Sequence, residues 1–202
     1  MVLVSGEYMG RWARFLRLVV GSILAITCFI SPMLAQPQLT EQSKVTIDGI
    51  GPIRVGMTVA EAEKSANVTL IEKGGRADTN CYYMWPKTGP QGIGFMVISP
   101  REAKTILRDR ISRVDIFKNN RITTPRGAKI GDTEAQIKAL YPGQIQVTPH
   151  QYTGPQGGHY LTLVPKDAAD KGYRIVFETL KGRVTQFRSG KLPEVEYVEG
   201  CA

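Results

Sequence analysis

The sequence predicts an α+β protein made of two tandem repeats, each a helix followed by an antiparallel meander, the two sharing a sheet or core. Three observations carry that expectation. First, Val55-Gly56-Met57-Thr58-Val59-Ala60-Glu61-Ala62 recurs as Ile130-Gly131-Asp132-Thr133-Glu134-Ala135-Gln136-Ile137. Each copy reads as a capping box: the Thr hydroxyl takes an orphan N–H of the first helical turn, and Glu61 or Gln136 reaches back to the Thr N–H. Second, further landmarks recur in the same order. Cys81 to Lys87 resembles Tyr160 to Lys166, each an apolar or aromatic run closed by Pro-Lys. Gly94 to Ile98 lines up with Tyr173 to Phe177, and Arg113 to Lys118 with Arg183 to Arg188. Third, neither unit alone has the means to bury both a helix and a sheet face, so the two meanders are expected to be joined. The Thr-Gly-Pro-Gln-Gly run at 88–92 reappears at 153–157 out of register and is read only as a pair of turns.

Residues 1–35 read as a signal peptide, with Arg11, Arg14 and Arg17 ahead of an apolar core from Leu18 to Ile30 and a cleavage site at Met33-Leu34-Ala35. Residues 36–49 are polar and expected to be a flexible segment, and Val45 to Val55 an extended lead-in. Repeat 1 spans 50–118. Its helix is expected over Val59–Asn67, where Val59, Ala62 and Ala66 share a face. Strands follow at Val68–Glu72, Cys81–Trp85, Ile93–Ile98 and Ser112–Lys118, with a polar turn over Lys73–Asn80 and a helical insertion over 99–110. A connector occupies 119–128. Repeat 2 spans 129–190, with a helix over Glu134–Leu140 stopped by Tyr141-Pro142-Gly143 and strands at Ile145–Thr148, His159–Val164, Gly172–Glu178 and Arg183–Arg188. Residues 191–202 form a tail.

Removing the leader leaves Cys81 and Cys201, an even count that in an oxidising compartment favours a disulfide closing a loop of more than a hundred residues. Without the three basic residues and one acidic residue of the leader, the net charge of +8 becomes +6, from 23 basic and 17 acidic residues. A basic exported domain meets anionic lipid, wall polymer or an acidic protein. Nucleic acid is not expected, because there is no Lys/Arg-rich run and no interleaving of aromatic and basic residues. Once the leader is cleaved, no integral membrane span is expected.

The two histidines, His150 and His159, lie nine residues apart with no further ligand at metal spacing, so no metal and no cofactor is expected. No Ser occupies a nucleophile elbow, and Cys81 with a disulfide partner is no nucleophile. No nucleophile, base and orienting group assemble, which argues against an enzyme. Strand alternation sends Tyr83 and Trp85 to one face and Tyr82 and Met84 to the other. Tyr83, Trp85, Tyr152 and Tyr160, with the Gly/Pro loops at 88–92 and 153–158, are the candidate binding residues.

The phrase Gly56-Met57-Thr58-x-x-Glu61-Ala62 opening a helix, followed by antiparallel strands and used in tandem, resembles the β-lactamase-inhibitor-protein-like fold and the SmpA/OmlA (BamE-type) outer-membrane assembly lipoproteins. The resemblance implies a protein-binding role through the sheet or its loops. The chain departs from those families in lacking a lipobox and in an expected disulfide that joins the two repeats. Together these observations imply an exported, periplasmic or secreted, non-catalytic module that binds a protein or the envelope. The rival readings are a small hydrolase of wall or carbohydrate material using His150 and His159, and a small-ligand carrier.

Overall fold

The structure, a computed structural model, describes residues 37–73, 80–99 and 109–201. The expected leader lies outside the described residues, as do positions 74–79 of the expected polar turn and all but the ends of the expected 99–110 helix. Two sheets form the architecture. β1 (Val45–Thr46), β2 (Gly49–Ile50) and β3 (Ile53–Arg54) pair in order as a small antiparallel sheet. The larger sheet holds β4 (Leu70–Glu72), β5 (Cys81–Pro86), β6 (Ile93–Ile98), β7 (Arg110–Phe117), β8 (Ile145–Pro149), β9 (His159–Leu163), β10 (Tyr173–Leu180) and β11 (Arg183–Lys191). Its order is β4-β5-β6-β7-β11-β10-β9-β8, antiparallel throughout. β7 and β11 meet at its centre, with Asp115 opposite Arg188 and Ile116 opposite Phe187.

This architecture corrects the expected α+β class. The described chain is mostly β, two antiparallel sheets of three and eight strands with two short helices, and is not a helix-plus-meander α+β repeat. The helices α1 (Val59–Ala66) and α2 (Glu134–Leu140) hold only eight and seven residues. A capping box specifies where a helix begins and nothing about its length. Asn67 in the left-handed conformation ends α1, and Tyr141-Pro142-Gly143 ends α2. The lead-in, expected as merely extended, folds on itself into β1–β3. Within 37–49, expected as flexible, Leu39, Ser43 and Val45 are buried, Leu39 donates its N–H to the Ala66 carbonyl, and Val45 donates to that of Thr123.

Both helix openings dock in the same manner. Thr58 accepts from the Glu61 N–H while the Glu61 carboxylate accepts from the Thr58 N–H, and Thr133 and Gln136 do likewise. Gly56 and Gly131 have φ near +93° and +94°, a conformation a side chain resists. Gly56 N–H donates to the Ile111 carbonyl and Gly131 N–H to that of Val184. The Arg110 and Arg183 guanidiniums in turn donate to the Gly56 and Gly131 carbonyls at 2.6 and 2.9 Å.

The helices and the small sheet cover one face of the large sheet. Phe95, Val114, Ile116, Leu161, Ile175, Phe177 and Phe187 point into this layer and meet Ala62 and Ala66 of α1, Ile137 of α2, and Ile50 and Ile53. Phe177 stacks on Phe187 at 5.5 Å between ring centroids. Tyr141 closes the layer, its hydroxyl donating to Thr124 at 2.7 Å. The opposite face carries charge. Strand alternation sends Arg113 and Asp115 of β7, Arg188 of β11 and Glu178 of β10 there, all buried.

Candidate functional site

The charged face is buried because the C-terminal tail straps across it. A 3₁₀ turn at Glu194–Glu196 packs on β7, β10 and β11. Arg113 donates to the Glu194 and Tyr197 carbonyls at 3.1 and 2.7 Å, and Arg188 Nε to the Val195 carbonyl at 2.6 Å. Each guanidinium thus satisfies main-chain acceptors of the strap as well as its own carboxylate. A disulfide joins Cys81 of β5 to Cys201 and fastens the strap's end, with the Cα atoms 5.2 Å apart.

Under the strap lie two ion-pair clusters. Arg113 Nε meets Asp115 Oδ2 at 2.9 Å, and the Tyr83 hydroxyl accepts from Arg113 Nη2 at 2.7 Å while donating to Asp115 at 3.2 Å. Burial pushes the Tyr83 phenol well up, and the Asp115 charge pushes the same way. Burial also pushes the Asp115 carboxyl up, against the pull of Arg113. The second cluster centres on Glu178, which accepts from Arg188, from Gln186 Nε2 at 2.6 Å and from His150 Nε2 at 3.2 Å. Burial opposes ionisation of Glu178, but Arg188 and these bonds outweigh it and hold the carboxyl below its usual range. His150 Nδ1 accepts from the Tyr152 N–H at 3.1 Å, which places the ring proton on Nε2, facing Glu178.

The structure separates the two histidines. His150 belongs to the Glu178 cluster and stacks on Tyr160 at 4.4 Å. His159 Nδ1 meets Glu134 Oε1 at 2.8 Å, and the Thr179 hydroxyl donates to the same oxygen at 2.6 Å, tying the start of α2 to the edge of β9 and β10. Among the described residues, no three His, Cys, Asp or Glu side chains converge as a metal site would require.

The four candidate binding residues fall in two places. Tyr152 is exposed with its hydroxyl on Glu199, and Tyr160 packs between His150 and the Arg188 guanidinium. These two border the Glu178 cluster near β9. Tyr83 and Trp85 stand on β5, five strands along the sheet from β9, and the strap spans between them, with Glu199 against Tyr152 and Gly200 against Tyr83. Tyr83 is partly covered by Gly200 of the strap. Trp85 is open to solvent on one side and floors a cleft of about 680 Å³ with Phe117.

The cleft follows from local sequence. Trp85 stacks with Tyr83 at 5.9 Å and leans on Phe117 at 5.8 Å. Between them Gly94 supplies no side chain, and a Cβ there would meet the indole at 3.1 Å, so the glycine is what lets the ring lie down on the sheet. Lys118, in the left-handed conformation, turns the chain out of β7 into Asn119, Asn120 and Arg121, which form one wall with Lys118. Glu41 and Gln91 form the other. The walls are braced: Asn119 Nδ2 donates to Glu41 at 3.0 Å and to the Gln91 carbonyl at 2.7 Å, and Arg121 pairs with Glu41 at 3.0 Å. Sequence reasoning finds Trp85 through strand alternation and Gln91 through the 88–92 turn. It misses Glu41, Phe117 and 118–121, because a connector and an N-terminal segment carry no signal that they meet.

A second hollow of about 830 Å³ shares Glu41 and Arg121 and continues past Lys44, Gly89 and Pro90. No helix among the described residues is long and apolar enough to cross a membrane. No protein-family model matches the chain, and no curated protein matches it.

Proposed function

We propose that the chain is an exported, non-catalytic binding module of the periplasm or cell exterior, engaging an envelope component through the cleft on its β5–β7 edge. The observation that carries this reading is the Trp85–Phe117 floor: a half-buried aromatic pair set among braced polar walls, lining a cleft of about 680 Å³, within the range of about 300–1,000 Å³ typical of ligand sites. Aromatic side chains on a rigid scaffold bind at low entropic cost. The Cys81–Cys201 disulfide fits an oxidising compartment. The resemblance of the Gly56–Ala62 helix opening to envelope-assembly and inhibitor families points the same way. Against the hydrolase reading, each histidine is spent on its own glutamate, on opposite faces of the large sheet.

The test is retention. The chain, added to sedimented envelope fragments of its source cell, is expected to co-sediment, and Trp85→Ala is expected to lose most of that retention while keeping its unfolding midpoint within a few degrees. Equal retention of wild type and Trp85→Ala would remove the cleft from the function.

A further inference from the structure

Which envelope chemistry fits the cleft follows from the groups its walls leave unspent. Resting on the reading of the cleft as a binding site, we infer that its ligand is an acidic oligosaccharide: a chain of sugar rings bearing carboxylates. Three features converge on that class.

The first is the floor. The indole of Trp85 presents a flat face of negative quadrupole, and the C–H-bearing face of a pyranose is flat, apolar and weakly positive at its hydrogens. Phe117, tilted by 36° to the indole, curves the floor rather than extending it, so a single ring seats on Trp85 and the next is turned against Phe117. The second is the wall chemistry. Asn119 and Glu41 are consumed in bracing each other. Among the described residues, the Asn120 amide, the Gln91 side-chain oxygen Oε1 and the Lys118 ammonium have no intramolecular bond. An amide offers donor and acceptor together, which is the demand of a vicinal hydroxyl pair. The third is charge along a track. The second hollow borders the cleft at the Glu41–Arg121 ion pair, which lines both. There the Lys44 ammonium donates to a hydroxyl, Thr123 Oγ1, and has no carboxylate partner among the described residues. From Lys118 through Arg121 to Lys44 the described lining holds three cations and one carboxylate, Glu41. An excess of two positive charges spread along a groove suits a repeating anion better than a single charged group, and the net charge of +6 left once the leader is removed adds long-range attraction. A neutral glycan leaves these cations unanswered. An acidic peptide answers the charge but has no flat C–H face for the indole.

The probe is tetragalacturonate, with cellotetraose as its neutral counterpart and pentaglutamate as an acidic peptide control. The full chain has two tryptophans, Trp12 in the expected leader and Trp85, so Trp12→Phe leaves Trp85 as the sole indole reporter. Tetragalacturonate is expected to shift the Trp85 fluorescence saturably and to bind at least about tenfold tighter than either control. Raising salt to about 0.5 M is expected to weaken it several-fold, since exposed charges are then screened. Lys118→Asn keeps the left-handed backbone, which Asn tolerates, and is expected to weaken binding about three- to tenfold without moving the unfolding midpoint. Trp85→Ala, followed by calorimetry, is expected to abolish measurable binding. The inference is overturned if cellotetraose or pentaglutamate binds as tightly, if Lys118→Asn changes nothing, or if tetragalacturonate does not bind. In the last case, retention on envelope fragments separates the two failures. If Trp85→Ala still abolishes retention, the cleft binds something else and only the saccharide assignment falls. If retention ignores Trp85, both fall.

Discussion

On one face of the eight-stranded sheet, Phe95, Phe177 and Phe187 lie under two helices and a small sheet; on the other, Arg113, Asp115, Arg188 and Glu178 lie under a single strap of chain. The same strands build both. The apolar layer is held by area removed from water, at roughly 25 cal/mol per Å², and needs no particular partner for any one side chain. The charged layer is different, because each ion taken from water must be answered by bonds of fitting geometry. Its guanidiniums find many of their acceptors on the strap's carbonyls, so this layer exists only while the strap is down. The comparison explains why the covalent bond sits where it does. Helices that bury apolar surface hold themselves in place, whereas a strap with a single 3₁₀ turn, which fully buries Val195 and otherwise rests on polar bonds, is fastened by Cys81–Cys201.

The largest expected effect therefore belongs to that bond. Cys81 and Cys201 are 120 residues apart, and closing a loop near that length is worth about 4–5 kcal/mol in the chain-entropy account, an upper figure. Replacing both cysteines by Ser is expected to lower the urea midpoint by a corresponding amount and to speed hydrogen exchange on β7, β10 and β11 more than on α1 or α2. Uniform acceleration across both faces would break the distinction drawn between them.

Next is the Arg188–Glu178 pair. Glu178→Ala leaves a buried guanidinium without its carboxylate and is expected to cost about 3–5 kcal/mol in denaturant unfolding. Arg188→Met with Glu178→Leu removes both charges and is expected to cost less, though not nothing, because the Val195 carbonyl, Gln186 and His150 each lose a partner. In the background lacking the disulfide, Glu178→Ala is expected to cost measurably less, because a loosened strap lets water answer Arg188. A double-mutant cycle reads that coupling, and strict additivity would show the strap and the ion pair to be independent. The pH dependence has a definite sign. The folded carboxyl of Glu178 titrates below its usual 4.5, so its contribution is full above that value and is lost as pH falls through the lower folded one. Glu178→Gln is expected to flatten that acid limb.

How much of this is legible in the sequence divides along the same line. The boundaries of α1 and α2 are readable within a residue, because Thr58, Thr133 and the residues three further on act locally. So are most strands, from runs such as Ile93–Ile98 bounded by turn residues, and so is the bond between the two cysteines left after the leader. The class is not, because two strong helix-start signals give two short helices the weight of whole layers. A Gly-rich lead-in, Val45–Arg54, gives no sign of folding into a sheet, since two-residue strands have no period to detect. The charged layer is invisible for a deeper reason. Arg113, Asp115, Arg188 and Glu178 each read as a charge on the solvent side of a strand. Only the β7–β11 register, which sets Asp115 opposite Arg188, and the return of the tail turn that side into an interior. The cleft has the same character: Trp85 is legible from alternation, while Glu41, Phe117 and Lys118–Arg121 reach it through tertiary contacts.

The smallest expected effect tests the apolar face through its lids. Thr58 and Thr133 make the same pair of capping bonds, yet Thr58 is buried and Thr133 is not. Losing such a cap costs about 1 kcal/mol, with a range of about 0.5–2 set by whether water can reach the freed N–H groups. Thr58→Ala is thus expected toward the upper end and Thr133→Ala toward the lower, read as urea midpoints at unchanged m-value. Because each cap also sets the Gly carbonyl that Arg110 or Arg183 grips, the loss at Thr58 is expected to loosen the seat of α1 on β7. Hydrogen exchange at Ile111, whose N–H donates to the Met57 carbonyl, reports that seat. If Thr133→Ala proves the costlier of the two, water access does not set the value of these caps. The lids of the apolar face would then depend on specific bonds as much as the strap does.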